Sequence, residues 1–124
     1  MAIVTTAAAA LAATTMATAP TASADSRRGC DWPRVCFYLT SSDWVDDDPT
    51  ASFQDVTTSY QNLGSRSRGA DYVVNTRNDD RVYLRYIHNG TGATSYLCVD
   101  PNHNQHFSNT FTVTGIRIDT ASSC

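Results

Sequence analysis

The sequence predicts an all-β domain held by two disulfides. Three observations carry this. Several short runs rich in Val, Tyr, Phe, Ile and Thr are separated by Gly, Asn, Asp, Ser and Pro. No stretch of the chain shows helical periodicity. Every base is Arg and every acid is Asp, so the Lys and Glu that usually build surface helices are missing.

The chain has 124 residues. Its first 24, "MAIVTTAAAALAATTMATAPTASA", carry no charge and end in the A-x-A pattern Ala22-Ser23-Ala24. This reads as a secretory signal peptide, although no Arg or Lys follows Met1. The alternatives are a low-complexity tail or a membrane anchor. The second is disfavoured by weakly apolar Ala and Thr and by Pro20. Residues 25–124 are then a single secreted β domain, expected to be a monomer with no membrane association after cleavage.

All four cysteines, Cys30, Cys36, Cys98 and Cys124, fall in that domain. An even number in a short exported chain implies two disulfides, with three connectivities open. Cys30–Cys36 and Cys98–Cys124 is the favoured pairing. It closes one short N-terminal loop and ties the C-terminus down. Zinc is a poor alternative, because the chain has no C-x-x-C pair. The formal net charge of −3 argues against a nucleic-acid surface.

Five strands can be placed in order. "RVCFYLT" (34–40) puts Val35, Phe37 and Leu39 on one face and Cys36, Tyr38 and Thr40 on the other. "SSDWVDDDPT" (41–50) reads as an acidic loop holding Trp44, and "NLGSRSRG" (62–69) as a flexible, linker-like stretch. "ADYVVN" (70–75) is a second strand. "RVYLRYI" (81–87) alternates Val82, Leu84 and Tyr86 against Tyr83, Arg85 and Ile87. "HNGTG" (88–92) reads as a hairpin turn driven by Asn89-Gly90, which also begins a formal glycosylation sequon. "SYLCV" (95–99) follows. "FTVTGIRI" (111–118) slips phase at Gly115, which a β-bulge there would explain. "RVCFY" and "RVYLRY" begin similar units, suggesting a duplicated Greek key.

The most chemical stretch is "YLCVDPNHNQHF" (96–107). Asp100, His103 and His106 could be metal ligands only if three side chains converged on one cation. Pro, Asn and Gln among them deny the helix that H-x-x-H would need, so a solvated loop is expected, with no metal and no cofactor. A catalytic role is not expected either. No G-x-S-x-G occurs, the cysteines should be oxidised, and Asp46, Asp47 and Asp48 form a local acidic run rather than two carboxylates facing across a cleft. His88 is too isolated to support a site. Trp32, Trp44 and Tyr38 could form a glycan platform, but packing around the N-terminal disulfide is the preferred reading.

Two segments carry a resemblance. "CDWPRVCFY" is similar to the opening of bacterial peptidase inhibitors with the βγ-crystallin fold. "DRVYLRYIHNGTGATSYLCV" resembles that family's run of L-R-Y strand, short hairpin and C-V pair. The resemblance implies two Greek-key motifs in a crystallin-like sandwich. It also implies a substrate-like inhibitory loop, Tyr96 to Asn104, with the reactive bond between Cys98 and Val99. Tyr96, Leu97, Cys98, Val99, Asp100 and Pro101 would then contact an extracellular protease, of metalloprotease type. The chain departs from the family in having no second cysteine close after Cys98. The positions matching that fold's calcium ligands are Ser67, Arg68, Asp71 and Tyr72, then Ser108, Asn109, Thr112 and Val113. Arg68 opposes cation binding there. The rival function is a non-catalytic binding or structural module on a cell surface or glycan.

Overall fold

A computed structural model describes residues 26–124. The expected signal peptide at 1–24 lies outside them. The elements are β1 (Val35–Tyr38), α1 (Ser41–Val45), β2 (Ala51–Phe53), β3 (Gln61–Asn62), β4 (Tyr72–Asn75), β5 (Arg81–His88), β6 (Thr94–Val99), β7 (Asn104–His106) and β8 (Phe111–Asp119). They form two four-stranded antiparallel sheets, ordered β2-β1-β4-β7 and β3-β8-β5-β6. Among the described residues, no helix is long and apolar enough to cross a membrane.

The strand order relates the two units. Strands β1 to β4 give three members to the first sheet and lend β3 to the second. Strands β5 to β8 do the reverse and lend β7 to the first. The similar segments "RVCFY" and "RVYLRY" are β1 and β5, the first strands of the two units.

The inner faces of both sheets meet in one core of Val35, Phe37, Val73, Val82, Leu84, Val99, Phe107, Val113, Ile116 and Ile118. Period-two alternation delivers these residues: Val82 and Leu84 point inward, and Tyr83 and Arg85 point out. β1 is buried on both faces. Its outward residues Cys36 and Tyr38 join Cys30 and Val74 in a second cluster, covered by Trp44 and Tyr72. Trp44 stacks on Tyr72 at 4.4 Å and meets Tyr38 edge-on. Packing is therefore the role of Tyr38 and Trp44, whereas Trp32 stays 43% exposed.

Two disulfides form, Cys30–Cys36 and Cys98–Cys124. The first bridges β1 to a tight turn in which Arg28 and Gly29 both have positive φ. Gly29 is needed there, because a Cβ would lie 2.0 Å from the Asp47 carbonyl oxygen.

Three local expectations are corrected, and a fourth holds with a different role for its glycine. The acidic loop opens with the single helical turn α1. Thr40 caps it by accepting from Asp43 N–H, while the Asp43 carboxylate accepts from Thr40 N–H. The stretch 62–69 is not a linker. Gly69 N–H donates to Val113 O, Leu63 and Ser67 are buried, and Arg66 and Thr50 exchange hydrogen bonds.

The hairpin after β5 forms, but its left-handed residue is Gly92, not the Asn89-Gly90 pair. His88 pairs with Ala93, enclosing four residues instead of two. Asn89 instead ties this hairpin to the next loop, donating to Asn109 O and accepting from Thr112 Oγ1. Finally, the bulge near Gly115 is present as a register shift opposite Arg85 and Tyr86. Gly115 itself has ordinary φ. Its lack of a side chain serves a different need, the close approach of Arg85.

Candidate functional site

The sequence-predicted contact segment Tyr96–Pro101 divides between a strand and a turn. Tyr96, Leu97, Cys98 and Val99 are in β6, and Asp100 and Pro101 follow it. The Cys98–Val99 bond is thus not in a projecting loop. Val99 pairs with Val82, and its side chain is 4% exposed within the core. Asp100 is held too: its Oδ1 accepts from Cys124 N–H at 2.7 Å. Asn75, fully buried, donates through Nδ2 to Asp80 O and Asp100 O, fixing the exit from β6.

Among the described residues β6 pairs only with β5, which makes it an edge strand. His88 N–H donates to Ala93 O at 2.9 Å, which sets the ladder's phase. Hydrogen-bonded pairs then fall at Tyr86–Ser95, Leu84–Leu97 and Val82–Val99. The backbone N–H and C=O groups of Thr94, Tyr96 and Cys98 consequently face the open edge. The same phase rule applies to β7. Asn75 N–H donates to His103 O and Phe107 N–H to Asp71 O, so Asn104 and His106 turn their backbone groups away from β4. Near these edges a groove of about 210 Å³ is lined by Tyr86, Leu97, Gln105, His106, Phe107 and Phe111.

The outward face of the second sheet adds side-chain chemistry. β5 contributes Arg81, Tyr83 and Arg85; β8 contributes Arg117 and Asp119; β6 contributes Tyr96. Tyr60, just before β3, meets Tyr96 at 5.3 Å between ring centroids. Arg117 lies over the Tyr83 ring at 4.8 Å and over Tyr60 at 5.6 Å, and Arg81 covers Tyr83 at 4.8 Å. Asp119 accepts from both Arg81 and Arg117. The Arg81 hydrogen bond holds the Asp119 carboxyl below the usual carboxylate range, while burial raises the Tyr60 phenol. Tyr96 is 58% exposed and is the most open aromatic side chain of this face.

The histidines do not converge. Among the described residues, no group of three or more His, Cys, Asp or Glu could hold a metal ion. His103 Nδ1–H donates to Pro101 O in the turn, while His106 stacks on Tyr72 at 4.5 Å in β7. The expected solvated loop is therefore partly a strand of the first sheet. His88 faces Ser95 across the β5–β6 ladder, with its Nε2 3.0 Å from the hydroxyl. Of the calcium-type positions, Ser67 is buried in a turn, Tyr72 is stacked, and Thr112 donates to Asn89.

Sequence reasoning identified Tyr83 and Arg85 as one face of a strand but did not join them to Tyr60, Arg117 and Tyr96. The phase of β8 after the bulge was the available signal. No protein-family model, curated protein or solved structure matches this chain.

Proposed function

We propose that this is an exported, non-catalytic binding protein that inhibits an extracellular protease, with the free edge of β6 as its docking element. The observation that carries this reading is the row of outward backbone groups at Thr94, Tyr96 and Cys98. Many clefts that take extended peptides do so by adding a strand, and an exposed sheet edge offers the same hydrogen bonds without an ordering cost. The edge replaces the Cys98–Val99 bond suggested by the family resemblance. A protease could reach that bond only by stripping β6 from β5 and withdrawing Val99 from the core. Two disulfides suit the oxidising compartment that export implies. The exchange of β3 and β7 between the sheets supports reading each unit as a Greek key of crystallin type.

The test is titration of the oxidised protein into a thermolysin-type protease, with serine proteases in parallel. Stoichiometric loss of turnover is expected for one class. Tyr96→Pro removes an outward N–H that an edge strand can spare, whereas Tyr96→Ala keeps it. Inhibition should fall further for Pro than for Ala. Unchanged turnover of every protease at molar excess sinks the reading.

A second reading, a binding module with no inhibitory action, is favoured by the tyrosine and arginine face beside that edge.

A further inference from the structure

We propose that the outward face of the β3-β8-β5-β6 sheet docks an acidic segment of a partner protein, with carboxylates seated on Arg81, Arg85 and Arg117 and apolar or aromatic groups against Tyr60, Tyr83 and Tyr96. This rests on the binding-protein reading and does not require that the partner be a protease.

The charge argues first. The chain carries a formal net charge of −3. Among the described residues, the strands of this face carry three arginines against one side-chain carboxylate, Asp119, with the Cys124 end tethered beside it at Cys98, so the face is cationic on an acidic molecule. Such a face attracts carboxylates by charge complementarity and repels a second copy of itself. The geometry argues next. Asp119 already receives Arg81 Nε at 2.9 Å and Arg117 Nη1 at 3.3 Å, so the two guanidiniums are spaced to share one carboxylate. Arg85 is fixed by donating to Thr114 Oγ1 at 3.0 Å and Asn62 Oδ1 at 2.7 Å, not by a carboxylate.

Composition argues third. Tyr and Arg are the residues enriched at protein contact hot spots. Here they are interleaved by ring–guanidinium contacts that hold the long side chains in place before a partner arrives. Three arginines on one small face are too few for the extended basic surface of a nucleic-acid binder. The face adjoins the open edge of β6 through Tyr96, so one extended segment can engage both.

The test uses the oxidised protein and two fluorescein-labelled peptides, Glu-Thr and Lys-Thr each repeated over ten residues, read by fluorescence anisotropy at low salt. The Glu peptide should bind and weaken as salt rises, and the Lys peptide should not bind. Arg117→Glu should weaken the Glu peptide at least about fivefold. Asp119→Asn frees two arginines and should tighten it roughly twofold to fivefold. That gain keeps the proposal testable if Arg117→Glu fails to fold.

Equal binding of both peptides, no binding of either, or an Asp119→Asn variant that binds no tighter would overturn it. So would a heparin oligosaccharide or single-stranded DNA of equal charge binding more tightly than the Glu peptide. Protease inhibition measured on the same variants separates the two proposals. Inhibition without peptide binding leaves the edge reading standing and removes this one. Peptide binding without inhibition does the opposite.

Discussion

The guanidinium of Arg85 lies across Gly115 on the neighbouring strand, so close that a Cβ on Gly115 would sit 2.8 Å from it. From there Arg85 reaches Thr114 and Asn62, bridging β5 to β8 and β3. A strand glycine usually marks a bulge or a close approach, and here the two occur together. Gly115→Ala should therefore displace the guanidinium and destabilise the fold by only about 1 kcal/mol, because the obstacle is the far end of a flexible side chain. The same change in an Arg85→Ala background should cost clearly less. Urea unfolding of both singles and the double gives the coupling, and additive effects would disprove the contact's importance.

Gly29 is less forgiving, because its obstacle is backbone. With φ at +71° and a Cβ position 2.0 Å from Asp47 O, neither strain nor clash can be relieved by a rotamer change. Gly29→Ala should cost more than Gly115→Ala, on the order of 3 kcal/mol or above, and thermal melts would show it. Gly90→Ala, with open space around it, serves as the neutral control.

Tyr38 links stability to alkaline pH. Burial, with the Asp47 carboxylate adding to it, pushes its phenol up to about 12, and its hydroxyl donates to Arg28 O. Below pH 10 the phenol is protonated whether the chain is folded or not, and its contribution is intact. Between pH 10 and 12 the unfolded chain loses the proton while the folded one retains it. Stability should then fall by up to about 2–3 kcal/mol over that window. Tyr38→Phe should flatten the decline in denaturant midpoints against pH; an unchanged slope would assign it to other tyrosines.

Asn75 pins the end of β6 from the far sheet. Its Oδ1 accepts from Arg77 N–H while Nδ2 serves Asp80 O and Asp100 O, all from a fully buried side chain. Asn75→Leu leaves these groups unpaired and should destabilise by about 2–4 kcal/mol. Hydrogen exchange should quicken around Asp100 and His103 before it does in β5.

Removing the second disulfide tests the tail. Cys98–Cys124 closes a 26-position loop, and the double Ser variant should lose about 3–4 kcal/mol on the loop-entropy model. A loss well under 1 kcal/mol would mean that Asp100 and Arg81, which already bind Cys124 N–H and Ser123 O, hold the tail unaided.

The all-β character, the strands β1, β4, β5, β6 and β8, the apolar faces of β1, β5 and β8, and the break near Gly115 were legible in the sequence. These follow from alternation and turn chemistry, which are local. The cap of α1 is also legible, as Thr40-x-x-Asp43 at the head of an acidic run. Tertiary structure decided the rest. The short strands β2, β3 and β7 have too few residues to show a period and exist because a neighbour offers a ladder. "HNQH" became part of a strand for that reason. Alternation placed Tyr83 and Arg85 on one face, but only register could bring Tyr60, Tyr96 and Arg117 beside them, since these residues lie far apart in the chain. Burial of Val99 was likewise invisible in "LCVD". Whether a valine is available to a protease depends on what the opposite sheet packs against it, and that is a property of the closed sandwich.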